Sequence, residues 1–91
     1  MSLERRQIRF AGRVQGVGFR ATTRGVAAGH PVSGWVRNEA DGSVLVEAQG
    51  KPDAIDAFLQ DLRTRMSRYI SWESPNPAAV IENEQGFAIR H

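Results

Sequence analysis

From Pro52 to Met66 the apolar residues Ile55, Phe58, Leu59, Leu62 and Met66 recur at intervals of three and four, the stripe of an amphipathic helix. Pro52 suits the first helical position, where its missing N–H costs nothing. Asp53 and Asp56 complement the positive N-terminal dipole, and Arg63, Arg65 and Arg68 the negative end. This stripe is core and carries no functional assignment. It needs an apolar face to pack on, and alternating segments elsewhere supply one. Gln7 to Val14 puts Ile8, Phe10, Gly12 and Val14 on one side and Arg9, Ala11 and Arg13 on the other. Val32 to Arg37 sets Val32, Gly34 and Val36 against Ser33, Trp35 and Arg37. Ser43 to Gln49 returns after an Asn38–Gly42 hairpin loop, with Val44, Val46 and Ala48 sharing a face. A weaker helix is expected over Phe19 to Ala28, striped by Phe19, Thr22, Thr23, Val26 and Ala27. Its Gly25 costs about 1 kcal/mol relative to Ala.

Tyr69 to Pro77 reads as irregular, because Pro75 and Pro77 oppose regular pairing. Ala79 to Glu82 and Phe87 to Arg90 are expected to form the last strand, in one piece or two. The order is then strand, helix, strand, strand, helix, strand. That is the ferredoxin-like, or split βαβ, plan of the α+β class, with an antiparallel sheet and both helices on one face. The first and third strands fall in the middle. Residues 1–91 are expected to form a single domain. Trp35, Tyr69 and Trp72 read as packing residues and His30 as a loop residue.

A domain of 91 residues buries roughly 60–65% of its unfolded surface, a thin core but a sufficient one. The chain has no cysteine, which excludes disulfides, thiolate metal sites and a cysteine nucleophile. His30 and His91 are far apart, and no HExxH or paired-carboxylate helix is present, so a dedicated metal site is not expected. No apolar run approaches the ~20 residues needed to span a bilayer. The charges of Met1 to Arg6 have no apolar stretch behind them, so a signal peptide is not expected and the location reads as cytoplasmic. Eleven of the twelve basic residues are arginine, and Arg5, Arg6, Arg9, Arg13, Arg20 and Arg24 crowd the first quarter. Most of these six read as a solvated basic face. Together they tilt the expected ligand toward an anion, which arginine's planar fork suits.

Gln15-Gly-Val-Gly-Phe-Arg20 stands between a strand and a helix. Two glycines permit positive φ, successive amides in such a turn can form an anion nest, and the following helix adds its N-terminal dipole. Arg20 on the first helical turn is placed to grip what the nest holds. By itself a Gly-rich turn is usually only a turn. Gly16-Val-Gly-Phe-Arg-Ala21, with Glu39 further on, also fits a loose dinucleotide fingerprint. The short helix and the hairpin that follows leave no room for a nucleotide-binding half.

Gly12-Arg-Val-Gln-Gly-Val-Gly-Phe-Arg20, then Gly34-Trp-Val-Arg-Asn38, then Asp41-Gly-Ser-Val44, resembles the acylphosphatase family in order and spacing, over roughly residues 7 to 90. The resemblance implies a ferredoxin-like fold and hydrolysis of acyl phosphates without metal or cofactor. It implies that the backbone of Gln15, Gly16, Val17, Gly18 and Phe19 binds the phosphate, that Arg20 is the essential arginine, and that Asn38 holds the water. Three positions depart from the family pattern. Ala21 stands where an aromatic is common, Pro31-Val32 replaces Gly-Leu, and Asn76-Pro77 replaces Gly-Pro. A less well packed first helix and an altered pocket rim are expected.

The chemistry is coherent on physical grounds. An acyl phosphate leaves as a carboxylate, whose conjugate acid has a pKa near 4, so a general acid adds little. Phosphoryl transfer asks mainly for positioning and charge stabilisation. Nest amides and Arg20 can serve the equatorial oxygens, and Asn38 can aim a water in line. As a bare residue, Asn38 also suits a turn. The expected partner is a small-molecule acyl phosphate, with inorganic phosphate or sulfate as competing anion. A monomer is expected, with neither nucleic acid nor membrane as partner. Two alternatives are a catalytically weak anion-binding or regulatory domain and an RNA-binding domain. The Arg20–Asn38 pair argues against the first. The third strand lacks the aromatics and the RNP1 pattern of the second.

Overall fold

The computed structural model describes residues 2–91. Its elements run β1 (Glu4–Gly12), α1 (Phe19–Ala27), β2 (Ser33–Asn38), β3 (Val44–Gly50), α2 (Pro52–Arg65), β4 (Ile70–Pro77) and β5 (Phe87–Arg90). The strands form one sheet in the order β4-β1-β3-β2-β5. β1 lies antiparallel to β3 and β4, and β2 antiparallel to β3, while β5 runs parallel to β2. The sheet is therefore mostly antiparallel, with β1 and β3 inside it, as the ferredoxin-like plan requires.

Both helices cover the same face. Ile8, Phe10, Val36, Val44, Val46 and Ala48 of the sheet share one buried cluster with Phe19, Val26 and Ala27 of α1 and Ile55, Phe58, Leu59 and Leu62 of α2. Each of these strand residues lies on the face that its alternation assigns to the core. Met66, just past the end of α2, closes the stripe at 4% exposure. Gly34 lets β2 approach β3. A Cβ built there would lie 1.8 Å from the Glu47 carbonyl oxygen, so no larger residue fits.

Three expectations are corrected. Ile70 to Pro77 is an edge strand, pairing Pro75 with Ile8 and Pro77 with Arg6, with a register shift only at its start, opposite Ala11 and Gly12. Ala78 N–H donates to the Arg5 carbonyl at 3.0 Å. Residues of even number thus donate inward, and Pro75 and Pro77 turn their absent N–H toward the free edge, where proline is tolerated. Ala79 to Glu82 forms no strand; β5 alone closes the sheet. Trp72 is 55% exposed and packs little, because β4 places it on the face that the helices leave open.

Arg5 departs furthest from a solvated basic face. Its side chain is fully buried, with Glu84 Oε1 at 2.7 Å from Nη1 and Glu47 Oε2 at 3.1 Å from Nη2. Nη2 also donates to Glu84 Oε2 at 3.1 Å, and Nη1 to Gln49 Oε1 at 3.2 Å. Ser33 Oγ donates to Glu84, and the Gln49 side chain exchanges two hydrogen bonds with the Ile81 backbone. This latch fastens the 78–86 connection across the open face and so delivers β5 to its place beside β2.

Candidate active site

Gly16 and Gly18 adopt φ of +77° and +78°. No atom would contact a Cβ at either position, so glycine is required there for backbone conformation and not for space. Gly18 is the left-handed N-cap of α1, with no side-chain cap and no acidic residue in the first turn. The first helical bond is Thr22 N–H to the Gly18 carbonyl, 2.9 Å. Among the described residues nothing in the chain accepts from the N–H groups of Gln15, Gly16, Val17 or Gly18, and the first-turn amides of α1 are unpaired by construction. The dipole of α1 adds positive potential at the same point. The ring of Phe19 packs on Phe10 with centroids 5.3 Å apart, anchoring the start of the helix to the central strand.

Asn38 is the last residue of β2, opposite Val44. The hairpin beyond it is fixed by Asp41, whose carboxylate accepts from Ser43 N–H at 2.9 Å and Ser43 Oγ at 2.6 Å. These hydrogen bonds hold the Asp41 carboxyl below the usual carboxylate range. The Gln15 side chain donates from Nε2 to the carbonyls of Glu39 (2.8 Å) and Ser43 (3.0 Å). The glycine loop and the hairpin are thereby tied together. Parallel pairing of Arg37 with Arg90 brings the chain after β5 out beside Asn38.

These elements meet at one cavity of about 400 Å³, lined by Val14, Gly16, Gly18, Phe19, Arg20, Ala21, Arg24, Asn38, Ile89 and His91. Arg20 and Asn38, separate in sequence, are thus brought together. Gly16, Gly18 and Phe19 line the cavity with them. Gln15 and Val17 do not: Gln15 braces the hairpin, and Val17 packs against the core. Arg24 and His91 also line the cavity, and no motif in the sequence marks either of them. Arg20 Nη1 lies 3.3 Å from His91 Nδ1; since a guanidinium can only donate, the imidazole nitrogen accepts. Among the described residues no Asp or Glu side chain lines the cavity. Among the described residues no group of three His, Asp or Glu side chains could hold a metal ion, and no helix is long and apolar enough to cross a membrane.

A larger depression of about 480 Å³ lies on the β4 edge, between Leu3, Arg6, Pro75, Pro77 and Val80. It has no glycine loop and no residue of the Arg20–Asn38 constellation, so the smaller cavity is the chemical candidate.

Comparison with known proteins gives the family. The family described as Acylphosphatase matches residues 6–89. An acylphosphatase of Salinibacter ruber is 53% identical over 86 residues, spanning 90% of this chain and 87% of the relative. The crystal structure of acylphosphatase from Bacillus subtilis superposes with a TM-score of 0.85 at 28% identity, covering 99% of this chain and 100% of that one. An acylphosphatase structure from Coxiella burnetii gives 0.80 at 27% identity, covering 97% and 93%.

Proposed function

The chain belongs to the acylphosphatase family and is an acyl phosphate hydrolase; from that premise we propose how its cavity performs the reaction. The amides around Gly16 and Gly18 and the guanidinium of Arg20 hold the phosphoryl group. The Asn38 side-chain oxygen accepts from a water and aims it at phosphorus, opposite the bond to the acyl oxygen. The water oxygen bonds to phosphorus as that bond breaks. The electron pair leaves with the carboxylate, and the water proton passes to solvent. The leaving carboxylate needs no proton, so a cavity without an acid is chemically sufficient. The amide cradle and Arg20 meet the charge on the equatorial oxygens, where preformed donors act most effectively.

The observation that carries this reading is the convergence of Arg20, Asn38 and the two positive-φ glycines on one cavity. His91 supports it: it accepts from Arg20 beside the cavity, where phosphoryl oxygens can take its place. We read the enzyme as a metal-independent cytoplasmic monomer, inhibited by inorganic phosphate or sulfate, with neither nucleic acid nor membrane as partner. The interior strands β1 and β3 offer the open face Gln7, Arg9, Ala11, Leu45 and Glu47 and no aromatic for a base to stack on.

The test is hydrolysis of a synthetic aromatic acyl phosphate, benzoyl phosphate, by wild type, Arg20→Ala and Asn38→Ala, with phosphate inhibition constants and circular dichroism. Arg20→Ala should lose turnover and phosphate affinity together. Asn38→Ala should lose kcat by about 10²-fold or more with phosphate affinity nearly intact. A folded Asn38→Ala variant with near-full kcat would reduce Asn38 to a turn residue. A wild type that binds phosphate without turnover would make the domain an anion-binding module.

A further inference from the structure

Resting on the reading of this cavity as the acyl phosphate site, we propose that Arg24 is a specificity residue and that the preferred substrates carry a second anionic group, carboxylate or phosphate, on the acyl portion. Arg24 stands one helical turn beyond Arg20 on α1, and both line the cavity. Residues so spaced have Cβ atoms about 5–6 Å apart on one helix face. The phosphoryl group, with its developing charge, is already served by the glycine loop and Arg20. Arg24 is therefore a second cation at the mouth, beyond what that group requires.

Two observations make it available to a ligand. Many arginines of this chain have a carboxylate partner, among them Arg5, Arg6, Arg9, Arg37, Arg63 and Arg65. Among the described residues Arg24 has none, and it is exposed. Among the described residues no Asp or Glu side chain on the cavity wall would repel a second anion. A volume of about 400 Å³ is in the range that holds a whole small ligand, so the acyl portion can lie inside it. Ala21, a small side chain, lines the cavity beside the two arginines. Arg24 also borders a neighbouring cavity of about 320 Å³ with Ala27, Val32 and Phe87 on its walls. The apolar walls of that cavity define the rival preference, for a hydrocarbon acyl chain.

The experiment compares kcat/KM for acetyl phosphate, succinyl phosphate and hexanoyl phosphate in wild type, Arg24→Ala, Arg24→Lys and Arg24→Glu. Wild type should favour succinyl phosphate over acetyl phosphate. Arg24→Ala should cut that ratio about tenfold, the effect of one exposed charge-assisted contact. Arg24→Lys should restore part of it, and Arg24→Glu should drive it lower still. The wild-type preference should shrink with added salt, as screening requires. An equal loss on succinyl and acetyl phosphate in Arg24→Ala would make Arg24 a general steering charge and overturn the proposal. So would a wild-type preference for hexanoyl phosphate over succinyl phosphate. If wild type hydrolyses none of the three, the reading of the cavity itself falls, a result distinct from lost selectivity.

Discussion

Replacing Arg5 with Met should cost this small domain a large part of its stability. The substitution keeps the apolar stem and removes a guanidinium whose side chain is 0% exposed, leaving Glu47 and Glu84 without their shared cation. Breaking a buried ion pair from one side typically costs about 3–5 kcal/mol. Two features move the value to the low end. The Glu47 and Glu84 side chains keep 12% and 15% exposure, so water can reach them. Arg5 Nε has no partner, and its removal returns a little. About 3 kcal/mol remains, against a total of about 5–14 kcal/mol for a chain of this length. In urea that is a midpoint shift of about 2 M. The acid side supplies a second reading. The hydrogen bonds from Arg5 hold the Glu84 carboxyl below its ordinary value. A depressed folded-state value contributes stability that is complete above the ordinary carboxyl range and is lost as pH falls through the folded value. The gap between wild type and Arg5→Met should therefore narrow as pH drops below about 4.5. Arg5→Met/Glu84→Gln should recover part of the loss at neutral pH. Urea titrations of the three proteins at pH 7 and at acidic pH test this. A shift below about 0.5 M, or a gap independent of pH, would refute the account of Arg5 as a buried latch.

Other outcomes follow from the site and the sheet. Turnover should survive excess chelator; loss on chelation with recovery in magnesium would contradict a cradle of amides and Arg20. Phosphate and sulfate should raise KM without lowering kcat, and purely non-competitive inhibition would place the anion elsewhere. Gly18→Ala should fold at a cost of about 1–2 kcal/mol, because only its positive φ is strained, and should lose activity as the amides turn away. Gly34→Ala should lose far more stability by thermal melting, because its methyl group would collide with the Glu47 carbonyl.

Much of this molecule is legible in the residues. The helix stripe from Ile55 to Met66 and the alternation around Ile8, Val36 and Val46 locate the core, because burial imposes their periods directly. The Gly16–Gly18 spacing marks the loop proposed as the cradle, because positive φ there needs glycine. What is hidden depends on topology. Pro75 and Pro77 argue against a strand until β4 is known to be an edge whose odd residues face away from β1. Arg5 looks like one more surface arginine until the 78–86 connection folds over it. Arg24 and His91 join the cavity only because α1 and β5 lie side by side, and nothing local to either residue announces that.

The strand order β4-β1-β3-β2-β5 also bears on how fast the molecule assembles. β2 and β3 are joined by a short hairpin, but every other pairing is remote: Arg6 must find Pro77, and Gly34 must find Phe87. Closing such loops costs entropy before any contact compensates it. Domains dominated by remote pairings fold in about milliseconds to seconds, slower than helical bundles of equal size. The candidate cavity inherits that delay, since it draws on α1, the end of β2 and the last strand together. In a refolding experiment the return of phosphate binding should lag the appearance of helical signal and coincide with the docking of β5.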